Sequence, residues 1–173
     1  MQPQAENVMT VLAQAQKLIH RAAEKGSRGK IITREQMKEL AGDLGLEVPS
    51  WLTELVTTVP LCGLELGWKA YDPAPGFDGV MWMEWSDADN IRSDSLECYP
   101  GLAILKHGYI NVASCSQGSG DPYFICVKQG DDPPLYQVYH DIGDKSKVIL
   151  AKGRRQVAST LSQFFCDALL PAD

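Results

Sequence analysis

The residues of this chain best suited to chemistry are three histidines, five cysteines and the serines around a glycine-rich stretch. His140 precedes Asp141 at the end of an apolar run, and a carboxylate beside an imidazole can orient it as a general base. His20 falls on a helical pattern and His107 in a turn. Ser114, Ser116 and Ser119 lie around Gly118 and Gly120, but the G-x-S-x-G spacing of an activated serine is absent. Gly118-Ser119-Gly120 could aim backbone N–H groups at a phosphate. Neither phosphate-loop pattern occurs, however, and Asp121 would repel an anion, so the stretch reads as a turn. Asp78, Glu84, Asp87 and Asp89 are close enough for a calcium loop, yet the EF-hand ligand order is missing and Trp82 and Trp85 interrupt it. Cys62, Cys98, Cys115, Cys126 and Cys166 are odd in number, with no C-x-x-C pair and no zinc-type spacing. Cys115, Cys126 and Cys166 sit in apolar runs, where a reduced thiol acts as a small hydrophobe, and the pattern fits a reducing compartment. The expectation is a chain with no catalytic residues, no metal and no cofactor.

The elements that would position these groups follow from periodicity. Val8, Val11, Leu12, Ala15, Leu18, Ile19, Ala22 and Ala23 give Glu6–Lys25 the rhythm of an amphipathic helix. Thr33 with Gln36 forms a capping-box pattern for a second helix ending near Gly42–Gly45. Pro49 suits the first turn of a third, which Pro60 stops. From there the pattern changes to short apolar runs: Leu64–Ala70, Val80–Trp85, Leu102–Lys106, Tyr109–Cys115, Tyr123–Lys128 and Leu135–His140. Turns separate them, including His107-Gly108 and Asp131-Asp132-Pro133-Pro134. Val157, Leu161, Phe164, Phe165, Ala168 and Leu169 predict a closing helix. The fold class is therefore α+β, with a twisted, largely antiparallel sheet of about six strands and helices packed on one face. Lys106, Asn111, Ser114, Lys128 and Gln137 suggest that part of the other face is wet.

The net charge of −6 argues against nucleic acid or an anionic membrane as a partner. Residues 1–40 carry +3, residues 41–100 carry −9, residues 101–144 carry −3 and the remainder +3. Within the acidic middle, Asp78, Trp82, Glu84, Trp85, Asp87, Asp89, Asp94 and Glu97 interleave aromatic and acidic side chains, as protein interfaces do. Strand alternation puts Trp82 and Trp85 on opposite faces, so one of them belongs to the core. No apolar run approaches a membrane span and no signal pattern opens the chain, which leads to the expectation of a cytoplasmic protein.

Several motifs in the second half resemble those of the SUKH superfamily. They are Tyr109–Ala113, then Gly118-Ser119-Gly120-Asp121-Pro122-Tyr123, then Tyr136-Gln137-Val138-Tyr139-His140-Asp141, and finally Ala158–Phe165; Val48–Leu52 resembles the family's helix start. The likeness covers about residues 48–170 and divides the chain into a helical extension, 1–47, and an α+β domain, 48–173. Pro60-Leu61-Cys62-Gly63 stands where the family carries an N-G-G-like turn, and residues 66–100 match loosely. The resemblance implies a mixed sheet and a protein-binding module. Many members are immunity proteins that neutralise bacterial toxin domains, often nucleases, and others have regulatory roles. Gly118, Gly120, Asp121, Tyr123, Tyr136 and His140 are then motif residues of the fold, with Asp121 accepting backbone N–H bonds across its turn. An acidic module facing a basic toxin domain is consistent with the charge distribution; an intracellular regulatory scaffold bound to a housekeeping protein is the alternative.

Overall fold

In a computed structural model, residues 4–171 are described, with side chains from residue 10 onward, so Val8 of the first expected helix face lies outside them. Three helices come first: α1 (Gln4–Glu24), α2 (Arg34–Leu44) and α3 (Ser50–Thr58). Thr33 caps α2 as its sequence requires. Its hydroxyl accepts the Gln36 amide, Gln36 returns a bond to the Thr33 amide, and Gly45 closes the helix at φ 64°.

The strands are β1 (Glu65–Lys69), β2 (Val80–Trp85), β3 (Tyr109–Cys115), β4 (Tyr123–Cys126), β5 (Leu135–Val138) and β6 (Arg154–Ala158). They form one sheet in chain order, and every neighbouring pair is antiparallel, so the mixed sheet implied by the family resemblance is not found. Between β2 and β3 the chain forms α4 (Ala88–Leu96), α5 (Gly101–Ile104) and a 3₁₀ turn at Leu105–His107. Between β5 and β6 it forms α6 (Ser146–Lys152), and α7 (Leu161–Asp167) follows β6.

The sheet curls. Trp68 on β1 donates its indole N–H to the Tyr123 hydroxyl on β4 at 3.1 Å, and Gln137 on β5 donates to the same oxygen at 3.2 Å. Strands three places apart in a flat sheet are about 14 Å distant, so the first contact needs a concave interior. At the open side, Arg155 on β6 reaches the Ala70 carbonyl just past β1, its guanidinium between the rings of Trp68 (4.9 Å) and Tyr71 (4.5 Å). Leu169 and Gly67 exchange two backbone hydrogen bonds, each 2.9 Å, which covers part of the outer edge of β1.

β2 pairs only with the second half of β3, and α4 takes its place beside the first half. There the Ser95 hydroxyl accepts the Asn111 amide at 3.1 Å. The Asn111 side chain fills the register shift of β3, accepting from Ser86 and donating to the Ala113 and Tyr123 carbonyls. The main core unites residues of α1, α2, α3, α4 and α7 with the concave face, from Val11 to Leu170. A smaller cluster on the convex side, including Tyr109, Phe124, Tyr136 and Val138, is covered by Ile104 of α5 and Ile149 of α6. The N-terminal helices thus share one core with the strands. Arg21 of α1 donates to the carbonyls of Phe165, Cys166 and Ala168 at the C-terminal end of α7, where a cation is favoured.

Four local expectations are corrected. Leu102–Lys106 is helical rather than a strand, so His107-Gly108 joins a 3₁₀ turn to β3 and is not a hairpin. The sixth strand is Arg154–Ala158, where Val157 had suggested the start of the closing helix. Asn111 and Gln137 are buried and hydrogen-bonded rather than wet. Cys166 is exposed, because it faces away from the side of α7 that carries Phe164 and Phe165.

Candidate functional site

On the convex side, α5 and α6 cover β3 to β5, whereas the β1–β2 portion carries a half-buried tryptophan, two exposed acids and the exposed Lys69. The register sets Glu65 opposite Glu84 and Gly67 opposite Trp82. Both pairs share the convex face because side chains two residues apart along a strand point the same way. A Cβ at position 67 would come within 3.0 Å of the Trp82 ring, so glycine gives the indole its seat. Glu65 reaches across β2 to accept the Ser116 hydroxyl at 2.9 Å, and Glu84 stands beside Ser114 on β3. The result is an aromatic plate with a pair of carboxylates on one side along the strands and Lys69 on the other.

The remaining acids of this stretch have diverse local duties. The Asp78 carboxylate accepts the Val80 amide at 2.9 Å and shapes the turn into β2. Asp87 caps α4 by accepting the Asn90 amide at 2.9 Å. Asp94 accepts the Ser114 hydroxyl at 3.1 Å, and burial pushes its carboxyl above the usual range, against the opposing pull of that bond. Asp89 pairs with Arg92, which also holds Asp43. Glu97 sits exposed at the end of α4. Trp85, 1% exposed, packs on Phe165 with centroids 5.3 Å apart, so it is core and Trp82 is the surface member of the pair.

Next to this face, Glu84, Asp87 and Asp89 line a groove of about 410 Å³ together with Arg28 and Lys30. Sequence reading missed these two cations because they precede the acids by more than fifty positions. The antiparallel bridge between Lys30 and Cys62, with two backbone bonds of 2.9 Å, brings them there. On the groove floor, burial first and the charge of Asp87 second push the Cys62 thiol up to about 11, which keeps it protonated near neutral pH.

The motif residues of the second half gather at the other end of β4 and β5. Asp121 Oδ1 accepts both the backbone amide of His140 at 3.0 Å and a contact from His140 Nδ1 at 2.7 Å. Asp121 therefore ties its turn to the end of β5, rather than bonding an amide of the turn itself, and it orients the imidazole. Asp141, proposed from adjacency, does not take that role: it lies with His140 in the turn after β5, and the imidazole's partner is Asp121. The bond to Asp121, then the charges of Asp121 and Asp141, raise the His140 pKa above its ordinary value. Gly120 lies beneath the ring, where a Cβ would meet it at 3.4 Å, and Gly118 takes φ 82° in the same turn. Ser119 donates to Cys115 Sγ at 3.0 Å and accepts the Asp121 amide at 3.3 Å. Tyr136 donates to Gln129 at 3.3 Å and stacks under Arg154 at 4.6 Å, while Tyr123 lies in the concave interior. These contacts hold turns and strands together.

Among the described residues, no three His, Cys, Asp or Glu side chains converge as metal ligands, and no helix is long and apolar enough to cross a membrane. No protein-family model, curated protein or solved structure matches the chain.

Proposed function

We propose that this chain is a protein-binding module that docks a basic partner domain on the uncovered convex face around Trp82. We further propose that it acts as an immunity protein, neutralising a toxin domain of the kind that grips a polyanion, such as a nuclease. The observation that carries the reading is the in-register pairing of Glu65 with Glu84 beside the Trp82–Gly67 pair. Like charges directly opposite each other in a sheet destabilise it, and a cationic partner would remove that cost on binding. A half-buried tryptophan ringed by polar groups is the type of anchor that carries interface affinity. The negative surface would speed encounter with a basic domain and repel the nucleic acid that such a domain binds. The SUKH resemblance of residues 48–170 supports the immunity role.

Affinity capture from native cells with the tagged chain, at low and moderate salt, tests this reading. The expected partner is a stoichiometric basic domain that is lost as salt rises and is not captured by Glu65→Lys/Glu84→Lys. Capture of a housekeeping protein would replace immunity with a regulatory scaffold. Capture that ignores both charge reversal and Trp82→Ala would remove this face from the account.

A further inference from the structure

The groove beside the convex face has walls of opposite sign that do not close on each other. Arg28 and Lys30 enter it from the segment between α1 and α2, and Glu84, Asp87 and Asp89 from the end of β2 and the start of α4. Among the described residues no ion pair crosses it: Asp89 is paired with Arg92, and Asp87 is engaged with the Asn90 amide. The separation is built into the backbone. Lys30 is fixed by its bridge to Cys62, Ile32 donates its amide to the Val56 carbonyl at 2.9 Å, and Gly63 donates to the Trp85 carbonyl at 2.9 Å. Both linings are therefore anchored to the same core, around a groove of about 410 Å³. Ile31 stands 46% exposed on the rim, with Ala88 and Trp85 at the base.

We propose that this groove is a binding site for an extended segment of the partner carrying a basic and an acidic side chain together, the base toward Glu84 and Asp87 and the acid toward Arg28 and Lys30. The inference deepens the docking reading above: Trp82 and the Glu65–Glu84 pair select for positive charge, and the groove selects for its arrangement. A uniformly basic surface gains on the acidic wall and loses on the opposite one, so Arg28 and Lys30 act as specificity residues against indiscriminate cations. Neither side alone explains the choice of a dipolar segment.

The test uses the full chain, ¹⁵N-labelled, titrated separately with three blocked tripeptides: acetyl-Lys-Ala-Asp-amide, acetyl-Lys-Ala-Lys-amide and acetyl-Asp-Ala-Asp-amide. The dipolar peptide is expected to shift the amides of Ile31, Cys62, Gly63 and Ala88. It should bind roughly fivefold more tightly than the dibasic one, the ratio expected when two exposed ion pairs of about 0.5 kcal/mol each replace one favourable and one unfavourable contact. Arg28→Glu/Lys30→Glu should reverse the preference towards the dibasic peptide. Both side chains are exposed, and the spectrum itself reports whether the fold persists. Equal affinities for all three peptides, shifts outside the groove, or an unchanged preference in the double variant would overturn the proposal. Failure here alongside salt-sensitive capture through Glu65 and Glu84 would leave the docking face standing. Dipolar binding without any captured basic partner would instead remove the docking reading and keep the groove.

Discussion

Glu84→Gln should make the free protein more stable while weakening its hold on a basic partner. Glu65 and Glu84 are cross-strand neighbours, and Glu65 lies across β2 to reach Ser116. For carboxylates on directly opposite residues, taken at roughly 6 Å in a water-like medium, Coulomb repulsion is about 0.7 kcal/mol, within the ~0.2–1 kcal/mol typical of cross-strand pairs. Glutamine preserves shape and β-strand hydrogen bonding but removes one charge. For a chain of this length a gain of that size raises Tm by about 1–3 °C. Urea unfolding followed by tryptophan fluorescence at two ionic strengths provides the assay. The difference between wild type and variant should be largest near 0.01 M salt, where screening extends over roughly 30 Å, and should fade near 1 M, where it extends over roughly 3 Å. Glu65→Gln, which retains an oxygen for Ser116, should give a similar gain, and the double variant less than the sum, since the repulsion can be removed only once. A destabilised Glu84→Gln, or a difference indifferent to salt, would show that the facing acids impose no cost for a cationic partner to relieve.

Tyr123→Phe should cost about 2–4 kcal/mol, because it strands the buried donors of Trp68 and Gln137, and the penalty should shrink in a Trp68→Phe background; a loss below about 0.5 kcal/mol in urea unfolding would contradict the curled sheet. The His140 imidazole should titrate above 6.5 in an NMR pH series, and Asp121→Asn should bring it back down. Because the folded pKa is raised, the stability contributed by this pair is fully present below the unfolded value and is lost as pH rises through the folded one; a His140 midpoint unmoved by Asp121→Asn would refute the pairing.

Much of the architecture is written in local pattern. The Thr33–Gln36 capping box, Gly45 as the stop of α2, the alternation along β4, and the need of Tyr123 and Tyr136 for polar partners follow from residue type and spacing, whereas the alternation of β3 breaks at the register shift beside Asn111. Failures cluster where a segment's environment differs from its composition. Arg154-Arg155-Gln156-Val157-Ala158 forms an edge strand with charged residues, so it lacks apolar alternation, and Val157 fits the helical spacing of Leu161 and Phe164 equally well. Leu102–Lys106 is apolar enough for a strand, but it is the cover of the convex cluster. α4 escaped notice because its buried face is only Ala88, Ile91 and Ser95 in an otherwise polar stretch. The acidic stretch was visible as charge, yet its division into a cap at Asp87, a turn at Asp78, an ion pair at Asp89 and a Glu84 set opposite Glu65 depends on strand register. Arg28 and Lys30 enter the site only through a bridge between distant segments.

The attachment of Arg21 to the end of α7 has a consequence for how the chain is made. Arg21 and its acceptor Ala168 are 147 residues apart. A ribosome adding about 5–20 residues per second would complete α1 roughly 7–30 s before α7 exists to receive it. Throughout that interval Val11, Leu18 and Ala22 have no finished surface to bury against, and the edge of β1 awaits Leu169. Vectorial synthesis therefore leaves the earliest helix dependent on the latest one, and the nascent chain is an expected client for a holding chaperone until its final turn emerges.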